Sequence, residues 1–256
     1  MGYYMDEKYY YGPVEQEILD LSSEAFPITT EAMVGAMEST SPQVVRNALS
    51  SLVEKGRLYR VQRGIYLRCD VPHKPTIEDP EALGLAIYKG YIGFATALDH
   101  WGLIEYHAFT IFIVTHSRSA ERGLGLYVFR AISMGKKAQG MVFDRGVYVS
   151  TLEKTIFDCI YKPEHAGGYP LVAQAISESK PDWNAVVEWF ILLGSPSLRN
   201  RAAYVIERAG NAPNWVVDSL RVELKDFIWL DPSLRRRGRL DKKLMIIDNV
   251  GGWDND

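Results

Sequence analysis

The chain has 256 residues, 47% of them hydrophobic and 24% charged, with a formal net charge of -3. That length and apolar content allow one or two domains with proper cores, and the charge fraction excludes global disorder. With 29 Lys and Arg against 32 Asp and Glu, a uniformly basic nucleic-acid coat is excluded, so any polyanion-binding surface must be local.

Residues 1–12 read as a tyrosine-rich arm. Gly12 and Pro13 open a helix, because proline is tolerated at the first helical position, and Val14, Ile18, Leu19 and Leu21 give it an apolar face. Pro27 closes the next turn, and a short helix over 30–37 turns Ala32, Met33, Ala36 and Met37 inward. Ser41 and Pro42 then supply an N-cap and a first helical residue for a third helix that runs to about Lys55, with Gly56 placed to cap it. Two strand-like pieces, 58–61 and 65–67, flank the turn Gln62-Arg63-Gly64. Three helices and a hairpin predict a winged helix-turn-helix over 1–72. Pro72, Pro75 and Pro80 mark the next stretch, and 73–80 reads as a linker.

From 81 to 256 helical and strand patterns mix, which predicts an α+β domain. Helices are expected over 81–89, 96–101, 169–177, 183–193, 197–209 and 215–220, with one more from Ser150 or Thr151 through Ile160. Strands are expected over 109–115, 126–129, 141–143, 147–149 and 243–247. The fold class is therefore α+β, with an N-terminal winged helix-turn-helix and a mixed C-terminal domain.

In the third helix Val44, Val45, Ala48, Leu49, Leu52 and Val53 share the apolar face, while Gln43, Arg46, Asn47 and Ser50 line up opposite. Arginine pairs bidentately with guanine, and asparagine or glutamine with adenine, so this polar stripe suits the DNA major groove. A solvated helix face is the plainer reading, and charge decides between them. Residues 41–68 hold Arg46, Lys55, Arg57, Arg60, Arg63 and Arg68 against the single acid Glu54, whereas residues 1–40 hold Lys8 against eight acids. Positive charge thus falls on the recognition helix and wing, where phosphates would lie. The predicted DNA-binding set is Gln43, Arg46, Asn47, Ser50, Lys55, Arg57, Arg60, Gln62 and Arg63, with operator DNA as partner and self-association on it.

Other chemistry is scarce. His73, His100, His107, His116 and His165 make no metal-ligand spacing, and there is no G-x-S-x-G, Walker A or G-x-G-x-x-G motif, so neither cofactor nor metal is expected. Asp182, followed by Glu223 and Lys225, has the spacing of a metal-dependent nuclease signature, but Asp182 precedes a helical pattern and reads as its N-cap. A nuclease with a winged-helix targeting domain and a ligand-sensing regulator remain as alternatives. The basic run of Arg235, Arg236, Arg237, Arg239, Lys242 and Lys243 reads either as a solvated turn or as a second polyanion surface. Cys69 and Cys159 do not resemble a secreted disulfide framework and read as reduced thiols. No basic-then-apolar leader and no apolar run of ~18–20 residues is found, so a cytoplasmic protein off the membrane is expected.

Several blocks then resemble one family. They are Gly56 to Tyr66 in the wing; Ala97-Leu98-Asp99-His100-Trp101-Gly102-Leu103; Val149 to Asp158, with its Glu153-Lys154-Thr155-Ile156-Phe157-Asp158 core; Arg201 to Glu207, opening Arg201-Ala202-Ala203-Tyr204; and Leu230-Asp231-Pro232. In order and spacing they are similar to the AbiEi antitoxins of type IV toxin–antitoxin (abortive infection) systems, with Ala203 where that family has glycine. The resemblance implies a repressor of its own operon, not an enzyme. It also implies an antidote to a cognate nucleotidyltransferase-like toxin, acting on the toxin or on the toxin's target. From the residues alone, Leu98, Leu103, Leu152, Ile156 and Tyr204 read as core, while Glu153, Lys154 and Asp158 read as cap and helix-surface charges.

Overall fold

The computed structural model describes residues 10–23, 26–105, 109–234 and 237–253. The chain divides into two compact units, 1–88 and 89–256. Most of the arm, His107, Arg235 and Arg236 lie outside the described residues. Among the described residues no helix is long and apolar enough to cross a membrane.

The first unit runs α1 (Pro13–Leu21), β1 (Ile28–Thr29), α2 (Thr30–Ala36), α3 (Pro42–Glu54), β2 (Leu58–Gln62), β3 (Ile65–Val71), β4 (Lys74–Pro75) and α4 (Pro80–Ile87). The expected prolines open their helices, but Ser41, expected as the N-cap of α3, makes no side-chain capping bond. Pro13 and Pro42 sit at first helical positions, and Thr29 accepts a hydrogen bond from the Ala32 amide. Gly56 follows α3 with φ +68°. Its amide donates to the Val53 carbonyl and the Arg57 amide donates to the Leu52 carbonyl, the paired bonds that close a helix C-terminus at a left-handed residue. The chain can therefore leave α3 sharply and enter the hairpin β2–β3, which is antiparallel, with Arg60 opposite Tyr66. Ile18, Met33, Val45, Leu49, Leu52 and Leu58 pack together as the core. Three helices backed by this small sheet make the winged helix-turn-helix architecture.

The linker expectation needs correction. Lys74–Pro75 pairs with β3, Asp79 caps α4 through the Ala82 amide at 2.9 Å, and α4 belongs to the first unit. Prolines occur here because β4 is a two-residue edge strand and Pro80 opens a helix, both positions that dispense with an amide donor.

The second unit comprises β5 (Tyr91–Ile92), α5 (Phe94–His100), β6 (Thr110–Thr115), β7 (Ala120–Leu124), β8 (Tyr127–Ser133), β9 (Met141–Asp144), β10 (Val147–Ser150), α6 (Leu152–Tyr161), α7 (Tyr169–Glu178), α8 (Trp183–Leu193), α9 (Pro196–Ala209), α10 (Asn214–Leu220), β11 (Ile228–Trp229), β12 (Arg239–Asp241) and β13 (Ile246–Asp248). A mixed six-stranded sheet runs β7-β8-β6-β5-β10-β9, and a three-stranded one runs β11-β13-β12. β6 and β8 pair parallel from Thr110 opposite Val128 to Thr115 opposite Ser133. A Cβ at Gly90 would collide with the Val114 carbonyl oxygen, so glycine there lets the chain lie against β6 just ahead of β5. α9 packs against α6, α7, α8 and α10, and Leu198, Ala202, Ala203, Val205 and Ile206 on it are buried.

Candidate nucleic-acid interface

On α3 the side chains of Gln43, Arg46, Asn47 and Ser50 are all exposed, while Val45, Ala48, Leu49 and Leu52 are buried. The stripe is partly organised by its own bonds. Gln43 Nε2 donates to Asn47 Oδ1 at 2.9 Å, and Ser50 Oγ donates back to the Arg46 carbonyl at 3.0 Å. Ser50 thus spends its proton on the helix, whereas Arg46 and Asn47 present their donors outward. The first turn of α3 carries no acidic residue, unlike α1, α2 and α4, which carry Glu15, Glu31 and Glu81. A duplex phosphate near that end would meet no negative side chain from the turn.

The wing divides the predicted basic set. Arg60 on β2 and Arg63 in the turn are exposed. Lys55 is not free for DNA: its ammonium bonds both oxygens of Glu15, at 2.8 and 2.6 Å, and the Tyr10 carbonyl at 3.2 Å. Burial pushes the Glu15 carboxyl up, but hydrogen bonds from Lys55, Ser51 and the Gly12 amide outweigh that and hold it below its ordinary value. Lys55 is therefore a tie between α1 and the end of α3, a role hidden in sequence because Glu15 lies 40 residues away. Arg57 is half-buried, with Nε enclosed and without a hydrogen-bond partner among the described residues. Gln62 Nε2 reaches the Ile87 carbonyl at 3.3 Å and fastens the hairpin to α4. Val44, expected on the apolar face of α3, is 44% exposed beside Asn47.

In the second unit Arg237, Arg239, Lys242 and Lys243 are exposed, and Lys243 is paired with Glu207 at 2.6 Å. Arg239, Lys242 and Lys243 line a cleft of about 520 Å³ with Tyr204, Glu207 and Arg208. The Arg208 guanidinium stacks over the Tyr204 and Trp253 rings, at 5.4 and 5.3 Å from their centres. Asp182 accepts from the Asn184 amide at 2.9 Å at the start of α8, and Glu223 lies beyond the end of α10, outside any strand. No cluster of three metal-ligating side chains occurs among the described residues.

The expectation of surface charges on α6 is overturned. Lys154 and Asp158 are fully buried and bond one another. The Lys154 ammonium also reaches the Tyr91 hydroxyl at 3.4 Å and lies 5.0 Å from the centre of the Phe157 ring. Burial raises Asp158 to about 6 despite the neighbouring ammonium, and burial lowers Lys154 although Asp158 opposes the shift. The i,i+4 spacing was visible in sequence, but the inward direction of the pair depends on Tyr91, Gly140 and Trp189 closing around it.

No family model matches the chain, and no curated protein matches its sequence. A solved structure does. The crystal structure of the RV2827C protein from Mycobacterium tuberculosis matches 94% of this chain and 93% of its own, with a TM-score of 0.67 and 14% identity. The likeness is one of fold. It covers both units of the mixed α+β architecture and carries no assignment of family or activity.

Proposed function

We propose that this chain is a sequence-specific DNA-binding repressor whose first unit reads an operator through α3 and the wing. The observation that carries the reading is the exposed stripe of Gln43, Arg46 and Asn47 on the third helix of a winged helix-turn-helix. Its donor chemistry fits base edges, and the exposed Arg60 and Arg63 follow in the wing. The acids of the first unit lie mainly ahead of α3, which opposes indiscriminate coating of DNA.

The similarity of several sequence blocks to the AbiEi antitoxins supports a second role for the other unit, neutralising a nucleotidyltransferase-like toxin. The exposed cations Arg237, Arg239 and Lys242 offer a surface of the sign needed to meet an acidic protein face or the RNA on which such a toxin acts.

The test is binding to a panel of single-base variants of a duplex selected by the protein. Arg46→Ala is expected to cost roughly 1–3 kcal/mol at one base position and relax the preference there. Equal weakening across the panel would make Arg46 a phosphate contact. In the same assay, Arg60→Ala with Arg63→Ala should weaken all sequences and reduce the log–log salt slope by about 2. An unchanged slope would remove the wing from the interface.

A further inference from the structure

One side chain on α3 is explained neither by the core nor by the helix. Val44 is 44% exposed, whereas Val45, one residue on, is fully buried. A β-branched residue gives up side-chain freedom in a helix, and with 44% of its surface exposed Val44 receives only partial burial in return. Val44 lies three residues before Asn47, so the two are neighbours on the helix surface. Its exposed neighbours Gln43 and Asn47 are polar, so Val44 does not sit within the broad apolar patch that a protein interface would need. Gln43 holds the Asn47 amide by the 2.9 Å bond to Oδ1. Asn47 therefore keeps both Nδ2 protons and an Oδ1 lone pair for another partner.

That combination has a counterpart in the major groove. Adenine offers N7 as acceptor and N6 as donor, which an asparagine amide satisfies together, and thymine offers its C5-methyl group to an apolar side chain. We propose that Val44 packs on a thymine methyl group next to the adenine taken by Asn47, so that α3 selects an A·T element by methyl and amide together. The inference rests on the DNA-binding reading above and names the bases that reading leaves open. Asn47 supplies the hydrogen bonds and Gln43 fixes its orientation. Val44 adds the contact that separates thymine from any base lacking the methyl.

The test uses the full chain. A randomised duplex library is enriched on the wild-type protein, and each thymine of the selected duplex is replaced in turn by deoxyuridine. That change deletes the methyl and leaves the pairing edges intact. Loss of one buried methyl contact corresponds to roughly 4-fold weaker binding. Wild type should show that loss at one thymine position beside a selected adenine. Val44→Ala, with an unchanged melting temperature, should bind the natural duplex about as weakly as wild type binds the substituted one. It should be indifferent to deoxyuridine at that position. The inference is overturned if wild type tolerates deoxyuridine everywhere, or if Val44→Ala keeps the same sensitivity. A library that yields no preferred sequence would defeat the DNA-binding reading itself. A preferred sequence without methyl dependence would defeat only the role of Val44.

Discussion

Asp158→Ala is expected to destabilise the second unit by ~3–5 kcal/mol, the cost of removing one partner from a buried ion pair. The Lys154 ammonium would be left with the Tyr91 hydroxyl and the ring faces of Phe157, Tyr91 and Trp189, which do not replace a carboxylate in a dry site. Lys154→Met combined with Asp158→Ala should recover most of the loss, because both charges and their desolvation disappear together. Urea unfolding measures this as a shift in midpoint at constant slope. If the double variant is as unstable as Asp158→Ala, the ion pair is not the cause and packing of α6 is. The pH dependence has a definite sign. Asp158 is raised from 3.8 to about 6 by burial, so its own contribution is fully present below pH 3.8 and is lost as the pH climbs through 6. That downward trend should vanish in Asp158→Ala. In the variant Lys154 is unpaired and its depressed pKa falls further, so stability should instead rise as the pH approaches the lysine's unfolded value.

Periodicity and punctuation made the first unit legible. Pro13, Ser41-Pro42, Gly56 and Gly64 mark where helices start, where α3 stops and where the hairpin turns, and each acts through local backbone geometry that a sequence displays directly. The helices α6 to α10 were legible for the same reason. The two-residue strands β1, β4, β5 and β11, and the three-residue β12, were not, because such short pieces carry no alternation and exist only through their partners. β7, Ala-Glu-Arg-Gly-Leu, was masked by its charges, which suit the edge of a sheet. Site residues divided the same way. Arg46, Asn47, Arg60 and Arg63 are exposed as the local pattern implied. Lys55 and Gln62 were drawn inward by Glu15 and Ile87, and the Lys154–Asp158 pair by Tyr91, through contacts that no local window contains. Val44 went the other way: the helical period placed it on the apolar face, but burial there depends on whether a neighbouring element covers it.

Cutting the chain between Tyr88 and Lys89 is expected to separate its two proposed activities completely. Each unit has its own core, built around Leu49 and Leu52 in the first and around Phe157, Phe190 and Ile206 in the second, so each should fold alone. Residues 89–256 should lose all sequence-specific DNA binding while retaining a cooperative thermal transition. Residues 1–88 should keep the base preference of the full chain. A cut at the prolines, before Thr76, is a poorer choice. It strips α4 from the first unit and with it the bond from Gln62 to the Ile87 carbonyl. It also removes the Thr76 hydroxyl from Asp70 and the Thr76 amide from the Arg68 carbonyl. A fragment ending at residue 72 should therefore melt below one ending at 88, even though α3 and the wing are intact in both. On the antitoxin reading, residues 89–256 should still protect cells that express the cognate toxin but fail to repress a promoter reporter, with the reverse for residues 1–88. Co-expression with toxin, scored beside the reporter, gives both readouts in one strain. If residues 89–256 melt cooperatively yet give no protection, neutralisation needs the first unit, and the proposed division of labour fails. If residues 1–88 fold but bind every sequence alike, base reading by α3 depends on a surface that this unit does not carry.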